Sequence, residues 1–305
     1  MATKEQKMIN LSKKLIIIRK KPILILDLKE VEFSICLKLQ RILFGKHFKE
    51  IDIILQTPGG DIDAAFNIIK LLRHSSDIVN ILVPLFSKSA GTLICLGADK
   101  LILTTLSELG PLDTQIREQQ EDGPPAYRSA LNGFKALEQV QLHTLETMDV
   151  ATKLILNRSG MKISEAIKLA TGFSGNTSGT LYQQVDPKKI GEYARALEIG
   201  ERYGITVLTR YMKWNMEEAD LVVKKLVKGY PAHGFIIDAE ELNILGLPAE
   251  DANPQEEEIL DELRLELLKT KGNIIELLEL PKVATKKVNP KEKSKSGDNN
   301  ESEKK

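Results

Sequence analysis

Two short segments about thirty residues apart carry groups that could catalyse acyl transfer. The first, TPGGD (residues 57–61), follows the apolar run 51–55, and the second, SKSAGT (residues 87–92), follows the apolar run 78–84. Both runs are typical of buried strands, and each leads through a turn into a helix start. Two such turns can place backbone N–H groups of one beside a hydroxyl of the other. That pairing is the minimum for an oxyanion hole next to a nucleophile.

Within these segments, the hydroxyl of Ser89 is the candidate nucleophile. The backbone N–H groups of Gly60 and Ala90 are the candidate oxyanion-hole donors, with Gly59 shaping the turn. Each segment also has an ordinary explanation, because glycine is common in tight turns and serine often caps a helix. The order and spacing of the pair make the catalytic interpretation specific.

The two segments in this order resemble the Clp-peptidase/crotonase superfamily. Three further stretches resemble the serine dehydrogenase proteinase family within it, which is related to signal peptide peptidase A. They are SAGTLICLGAD (residues 89–99), SELGPLD (residues 107–113) and YPAHGF (residues 230–235). The resemblance extends over residues 23–247. It implies a serine endopeptidase that hydrolyses peptide bonds through an acyl-enzyme on Ser89.

A serine hydroxyl needs a base to accept its proton. In Clp peptidases a histidine follows the serine by about 25 residues, but the matching stretch here, residues 107–115, contains none. The serine dehydrogenase proteinase pattern implies His233 as the base and Asp113 as the carboxylate that orients it. This change of chain order is permissible because a triad is defined by its geometry.

Two alternatives stay open for these roles. Asp238, just after the apolar residues 235–237, competes with Asp113 as the orienting carboxylate. Lys135 is an alternative base, since signal peptide peptidases use a lysine. That route requires a buried lysine with a lowered pKa.

The strand–turn–helix pattern repeats along residues 22–104, which predicts an α/β fold with a parallel sheet covered by helices on both faces. The resemblance specifies a Clp/crotonase-like spiral of ββα units, followed by a helical second half. We expect an N-terminal segment (residues 1–21) and a peptidase domain (residues 22–250) with a helical elaboration from about residue 128. An acidic amphipathic helix (residues 251–280) and a disordered charged tail (residues 281–305) complete the expected organisation.

Composition excludes several classes of function. The 43 basic and 43 acidic residues balance, and aromatic residues make up 5 % of the chain, so nucleic acid is not expected as a partner. No apolar run reaches the length of a membrane span, and no signal peptide is recognisable. Cys36 and Cys95 are expected to be buried free thiols, which suits the cytoplasm. No spacing indicates a metal site, and no cofactor is expected.

The expected partner is a peptide or protein substrate. The resemblance implies a homo-oligomer, and unfolding of large substrates would need a separate ATPase, because no phosphate-binding loop is recognisable. A catalytically inactive Clp-like scaffold or regulatory subunit is an alternative, since the histidine of the Clp peptidases is missing. A crotonase-type acyl-CoA enzyme is a third reading, opposed by a serine at the nucleophile position. Reaction with a fluorophosphonate separates the peptidase from the scaffold.

Overall fold

The computed structural model describes residues 4–112, 115–118 and 126–280. The helices are α1 (Lys4–Arg19), α2 (Phe33–Leu43), α3 (Ile62–Ser75), α4 (Ala90–Leu96), α5 (Ala130–Ser159), α6 (Ile163–Tyr182), α7 (Pro187–Thr206), α8 (Met216–Lys228), α9 (Ala239–Ile244) and α10 (Pro254–Leu268). A π-helical turn, Val207–Tyr211, follows α7. The strands are β1 (Ile23–Asp27), β2 (Phe48–Gln56), β3 (Ser76–Val83), β4 (Phe86–Ser87), β5 (Lys100–Leu103), β6 (Glu108–Leu109), β7 (Gln115–Glu118), β8 (Ala126–Ser129), β9 (Ala249–Asp251) and β10 (Ile274–Leu278).

A six-stranded sheet in the order β10-β1-β2-β3-β5-β9 forms the centre of the fold. Five of these strands run parallel, and β10 pairs antiparallel with β1 at one edge. Every residue of β1 is buried, as expected for a parallel strand covered on both faces. The predicted mixed α/β fold with a mostly parallel sheet is confirmed.

Helices cover both faces because successive strand residues point to opposite sides. Leu24, Ile53 and Ile81 pack into a core with α2, α3 and α4. Ile25 and Ile54 point the other way, into a second core with α1 and α10. The parallel strands end at one edge of the sheet, and β2 continues there into the first of the two turns.

The chain is largely helical after β8, as predicted. Helices α5 and α6 form an antiparallel hairpin, and α7 packs against both α5 and α8. Helix α6 runs from Ile163 to Tyr182. Two small sheets flank the main one: β4 pairs parallel with β6, and β7 pairs antiparallel with β8.

The expectation of a single helix over residues 251–280 is wrong. Helix α10 ends at Leu268, and residues 274–278 form β10 on the edge of the main sheet. The apolar residues at its end carry helical spacing, but they lie beyond the end of α10, and the edge of β1 offers them backbone partners.

Helix α1 packs against α10, and a buried cluster of charged side chains connects both helices to the sheet. The Arg19 guanidinium binds the carboxylate of Asp52 on β2 and, at 2.6 Å, that of Glu256 on α10. Each of the three side chains is no more than 10 % exposed. Removing Arg19 would take the shared guanidinium from two buried carboxylates, and such a loss is strongly destabilising.

Candidate active site

The first turn is shaped by two consecutive glycines with positive φ. Gly59 has φ +113° and Gly60 has φ +142°, values that residues with a side chain rarely adopt. The turn packs on Val31, whose N–H donates to the Gly59 carbonyl at 2.8 Å and whose carbonyl accepts from Asp61 at 2.7 Å. A Cβ atom on Gly60 would lie 2.4 Å from the Val31 oxygen. Glycine is therefore required at position 60 by the neighbouring backbone.

The second turn is joined to the first by backbone hydrogen bonds. The Thr57 N–H donates to the Phe86 carbonyl at 3.1 Å, and the Lys88 N–H donates to the Thr57 carbonyl at 3.0 Å. Gly91 lies where the two turns contact each other. A Cβ atom on it would be 2.5 Å from both Ser87 Oγ and Thr57 Cγ2. The two segments singled out in the sequence are therefore neighbours.

Ser89 occupies a strained backbone conformation at the start of α4, with φ 50° and ψ −115°. Its side chain is nearly buried, with the residue 6 % exposed. A residue with a side chain adopts such angles at a cost of about 1–3 kcal/mol, and such strain clusters at active sites. The strain is consistent with a serine presented at a sharp strand-to-helix turn.

Backbone N–H groups with no acceptor in the described part of the chain lie on both turns, at Gly60 and Ala90. The adjacent backbone N–H groups do have acceptors. The Gly59 N–H donates to Thr57 Oγ1 at 3.2 Å, and the Gly91 N–H donates to the Lys88 carbonyl at 2.8 Å. A Cβ atom on Gly59 would lie 3.4 Å from the Ala90 nitrogen, so the first turn reaches the second at this point. Two unsatisfied donors beside a serine can stabilise an oxyanion.

Helix α4 is tied to the next segment by Thr92. Its hydroxyl is fully buried and lies 2.7 Å from the Gly110 carbonyl and 3.0 Å from the Ser87 carbonyl. Gly110 in turn contacts the segment of the candidate base, since a Cβ atom on it would lie 3.5 Å from the backbone oxygen of His233. The turn that carries Ser89 and the His233 segment therefore both lie against Gly110, the first through the Thr92 hydroxyl.

The His233 segment is a loop between α8 and α9. The backbones of Leu109 and Ile237 exchange two hydrogen bonds of 2.9 and 3.0 Å, which fix the end of the loop. Within the loop, the Tyr230 ring stacks on the Phe235 ring, and the ring centres are 4.9 Å apart. His233 itself is half-buried, whereas His47, His74 and His143 are exposed.

Tyr230 also anchors the loop through its hydroxyl, which donates to Glu241 at 2.6 Å. The ammonium of Lys225 lies 4.9 Å from the centre of its ring. Burial and the neighbouring Glu241 carboxylate raise the pKa of the Tyr230 phenol. The tyrosine therefore stays neutral and serves as a support.

Lys88, which precedes Ser89, contacts the segment around Gly110. Its ammonium pairs with Glu108 at 2.8 Å and lies 3.4 Å from the Leu109 carbonyl. Its aliphatic stem covers Gly110, where a Cβ atom would lie 2.6 Å from Lys88 Cδ. No pattern in the sequence indicated this pair, because Lys88 directly follows β4 whereas Glu108 begins β6, and the two strands pair only in the folded chain.

The remaining candidates differ in what surrounds them. Asp113 lies outside the described residues. Asp238 is exposed and caps α9, accepting the Glu241 N–H at 2.9 Å, and it lines a cleft of about 780 Å³ with Thr104. Lys135 is 43 % exposed and pairs with Glu138 at 3.2 Å, so its surroundings lack the burial that a neutral lysine requires.

Within the described ranges, the structure contains no group of three or more His, Cys, Asp or Glu side chains that could hold a metal ion. No helix in the same part of the chain is long and apolar enough to cross a membrane. Cys36 and Cys95 are free and buried, as predicted.

Because both thiols are buried, we expect thiol reagents to have no effect on activity at the candidate site. Burial raises the pKa of Cys95 to about 12 and also raises that of Cys36, so the reactive thiolate is scarce at neutral pH. We expect N-ethylmaleimide to leave any hydrolytic activity unchanged and to modify both thiols only after unfolding in guanidinium. Mass spectrometry reads the adducts, and inhibition with an adduct on Cys95 would contradict the expectation.

Thr92→Val tests the link between α4, which carries the candidate nucleophile at its start, and the His233 segment. Valine keeps the shape but leaves the Gly110 and Ser87 carbonyls without the hydroxyl donor, which should cost about 1–3 kcal/mol of unfolding free energy. We also expect a fall in turnover of about tenfold or more, since small misplacements of catalytic groups are costly. Urea unfolding and steady-state kinetics measure the two effects, with the exposed Thr180→Val as the control.

Gly59→Ala tests the support beneath the nucleophile. The new Cβ atom would lie 2.9 Å from Ser89 Cβ and 3.0 Å from the Lys88 oxygen, so the nucleophile turn must shift. Turnover should fall by about 10²-fold. Gly191→Ala on α7 is the matched control, because nothing lies within 4 Å of its added methyl group. Equal turnover in the two variants would show that the turn does not position Ser89.

The mostly parallel sheet, the two adjacent turns and the helical second half are consistent with a Clp-like fold. Comparison with protein families narrows the class, since the model of the ClpP-like SDH-type serine proteinases matches residues 22–168. That part of the chain, slightly less than half of it, is therefore similar to this family. The match spans both turns and ends before the His233 loop.

Two archaeal proteins are similar in sequence. The uncharacterized protein MJ0137 of Methanocaldococcus jannaschii is 27 % identical over 226 residues, which cover 74 % of this chain and 62 % of the relative. The uncharacterized protein MJ1495 of the same organism is 31 % identical over 105 residues, covering 34 % of each chain. The chain thus spans about three fifths of the first relative and a third of the second.

Proposed function

We propose that the chain is a serine peptidase that cleaves peptide bonds through an acyl-enzyme on Ser89. The backbone N–H groups of Gly60 and Ala90 form the oxyanion hole in this proposal. His233 is the base, and Asp113 is the carboxylate that orients it.

In the proposed reaction, Ser89 Oγ attacks the carbonyl carbon of the scissile peptide bond while His233 takes its proton. The oxyanion of the tetrahedral intermediate accepts hydrogen bonds from the Gly60 and Ala90 N–H groups. The protonated histidine then gives its proton to the leaving amine, and the acyl group stays on Ser89. Water, deprotonated by His233, attacks the ester and releases the second product.

The observation that carries the proposal is a strained, nearly buried serine whose turn contacts the Gly59-Gly60 turn, with no acceptor among the described residues for the Gly60 and Ala90 N–H groups. Both donors belong to the backbone and are fixed by neighbouring hydrogen bonds, so they need no rearrangement during the reaction. The approach of the His233 backbone to Gly110 supports the choice of base. The serine proteinase family of residues 22–168 supports the reaction class.

The proposal extends to partners and compartment. Peptides or unfolded proteins are the substrate, and a separate ATPase would be needed to unfold folded ones. The resemblance to Clp peptidases supports a homo-oligomer. The two buried free thiols suit a reducing compartment such as the cytoplasm.

A pre-steady-state burst tests the proposal against an inactive scaffold. A peptide ester with a fluorogenic leaving group should release product in a burst whose amplitude matches the enzyme concentration, because acylation precedes slower deacylation. Ser89→Ala should show no burst, and the exposed Ser34→Ala should keep it. Absence of both burst and turnover in the folded wild-type chain would favour the scaffold.

A further inference from the structure

Lys88 immediately precedes the candidate nucleophile, and its backbone is fixed between the two turns. Its N–H donates to the Thr57 carbonyl at 3.0 Å, and its carbonyl accepts a hydrogen bond from the Gly91 N–H at 2.8 Å. The carbonyl also lies against the first turn, since a Cβ atom on Gly59 would be 3.0 Å from it. The side chain of Lys88 therefore starts from a fixed point next to Ser89.

From this point the Lys88 side chain extends along residues 108–110. Its aliphatic stem covers Gly110, where an added Cβ atom would lie 2.6 Å from Lys88 Cδ. Its ammonium lies 2.8 Å from the Glu108 carboxylate and 3.4 Å from the Leu109 carbonyl oxygen. One lysine side chain thus contacts each of these three consecutive residues.

The segment that Lys88 contacts also supports the loop of His233. The backbones of Leu109 and Ile237 exchange two hydrogen bonds, which tie the segment to the end of the loop. A Cβ atom on Gly110 would lie 3.5 Å from the His233 carbonyl oxygen, so the loop passes directly over this glycine. Lys88 therefore connects the second turn with the segment on which the loop lies.

The ion pair between Lys88 and Glu108 is partly buried. The Lys88 side chain is 14 % exposed and that of Glu108 is 26 % exposed, whereas the two side chains of the Lys100–Glu250 pair are 53 % and 56 % exposed. Solvent screens a partly buried pair less than an exposed one, and exposed pairs contribute little. The Lys88–Glu108 pair is therefore the stronger restraint of the two.

We propose that Lys88 is a positioning residue of the candidate active site. Its ammonium binds the Glu108 carboxylate and the Leu109 carbonyl. These two contacts hold the segment that supports the His233 loop at a fixed place relative to Ser89. The ammonium is a hydrogen-bond donor to both groups, so it restrains the segment and takes no part in proton transfer. The inference rests on the proposed function, because it concerns the approach of His233 to Ser89.

Lys88→Met tests the role of the ammonium, because methionine keeps an apolar stem over Gly110 and removes the charge. We expect kcat for a peptide substrate to fall by about 10²-fold with little change in KM, since a misplacement of about 1 Å can cost this much. Lys100→Met is the matched control, because it removes an exposed ammonium that lies at the same 2.8 Å from a carboxylate, that of Glu250. The control should keep the wild-type kcat, and thermal unfolding verifies that both variants are folded.

Lys88→Arg separates the charge of the side chain from the packing of its stem. Arginine keeps a cation and hydrogen-bond donors within reach of the Glu108 carboxylate, so it should recover most of the wild-type kcat. A lysine that only filled the space over Gly110 would give equal kcat values in the methionine and arginine variants.

The Glu108 side of the pair is tested by a double-mutant cycle. Glu108→Leu alone should lower kcat to a similar extent as Lys88→Met, because each variant breaks the same ion pair. The double variant should show about the same kcat as either single variant, since the second change has no further interaction to remove. Additive effects of the two changes on kcat would contradict the proposed pair.

A folded Lys88→Met variant with the wild-type kcat would overturn the inference, as would equal kcat values in Lys88→Met and Lys88→Arg. Both results require a wild-type chain that shows the acylation burst, so they would leave the proposed function intact. A folded wild-type chain without burst or turnover would overturn the proposed function, and the role of Lys88 with it.

Discussion

Ser89→Ala is expected to lower peptide-bond hydrolysis at least ~10⁴-fold, because the acyl-enzyme cannot form without the hydroxyl. The chain should stay folded, since alanine faces the same positive φ as serine and occupies less volume. The measurement is kcat/KM for a peptide substrate, together with thermal unfolding. A small residual rate is expected from the oxyanion hole alone.

Ser34→Ala is the matched control for this variant. Ser34 is exposed near the start of α2, and its hydroxyl donates to the Glu32 carboxylate. The control should retain the wild-type rate. Hydrolysis at the wild-type rate by pure Ser89→Ala protein would mean that another group is the nucleophile.

His233→Ala is expected to lower kcat by about 10²–10⁴-fold, the usual contribution of a general base, with a smaller effect on KM. Added imidazole should restore part of the rate, because a free base can enter the space of the lost ring. Partial rescue separates a chemical role from a structural one. A histidine that only held the loop would not be replaced by imidazole.

Two further variants make the assignment of the base decisive. His143→Ala removes an exposed histidine from α5 and should leave kcat unchanged. Lys135→Met removes the alternative base and its pair with Glu138, and it too should keep the wild-type rate. Loss of activity in Lys135→Met with full activity in His233→Ala would transfer the role to the lysine.

The turns could be predicted from sequence because local chemistry dictates them. A Gly59-Gly60 pair after a buried strand requires positive φ, and the structure gives both residues that conformation. The reason for glycine at position 60 could not be read from sequence. It depends on Val31, which lies 29 positions earlier and meets the turn only after the sheet forms.

Contacts between distant segments account for what sequence missed. Thr92 reads as an ordinary residue of a short helix, yet its hydroxyl joins the nucleophile turn to Gly110. The apolar residues of β10 have helical spacing, but this segment forms a strand because it pairs with β1. In both cases the deciding partner lies far away along the chain, so local patterns carry no signal of it.

Mass spectrometry of the chain after incubation with a fluorophosphonate probe tests the proposed site most directly. The reagent reacts with a serine that is activated by a base and an oxyanion hole. We predict one adduct, located on the peptide that contains Ser89, and its disappearance in Ser89→Ala. No adduct on the folded chain, or an adduct on another residue, would contradict the assignment of Ser89 as the nucleophile.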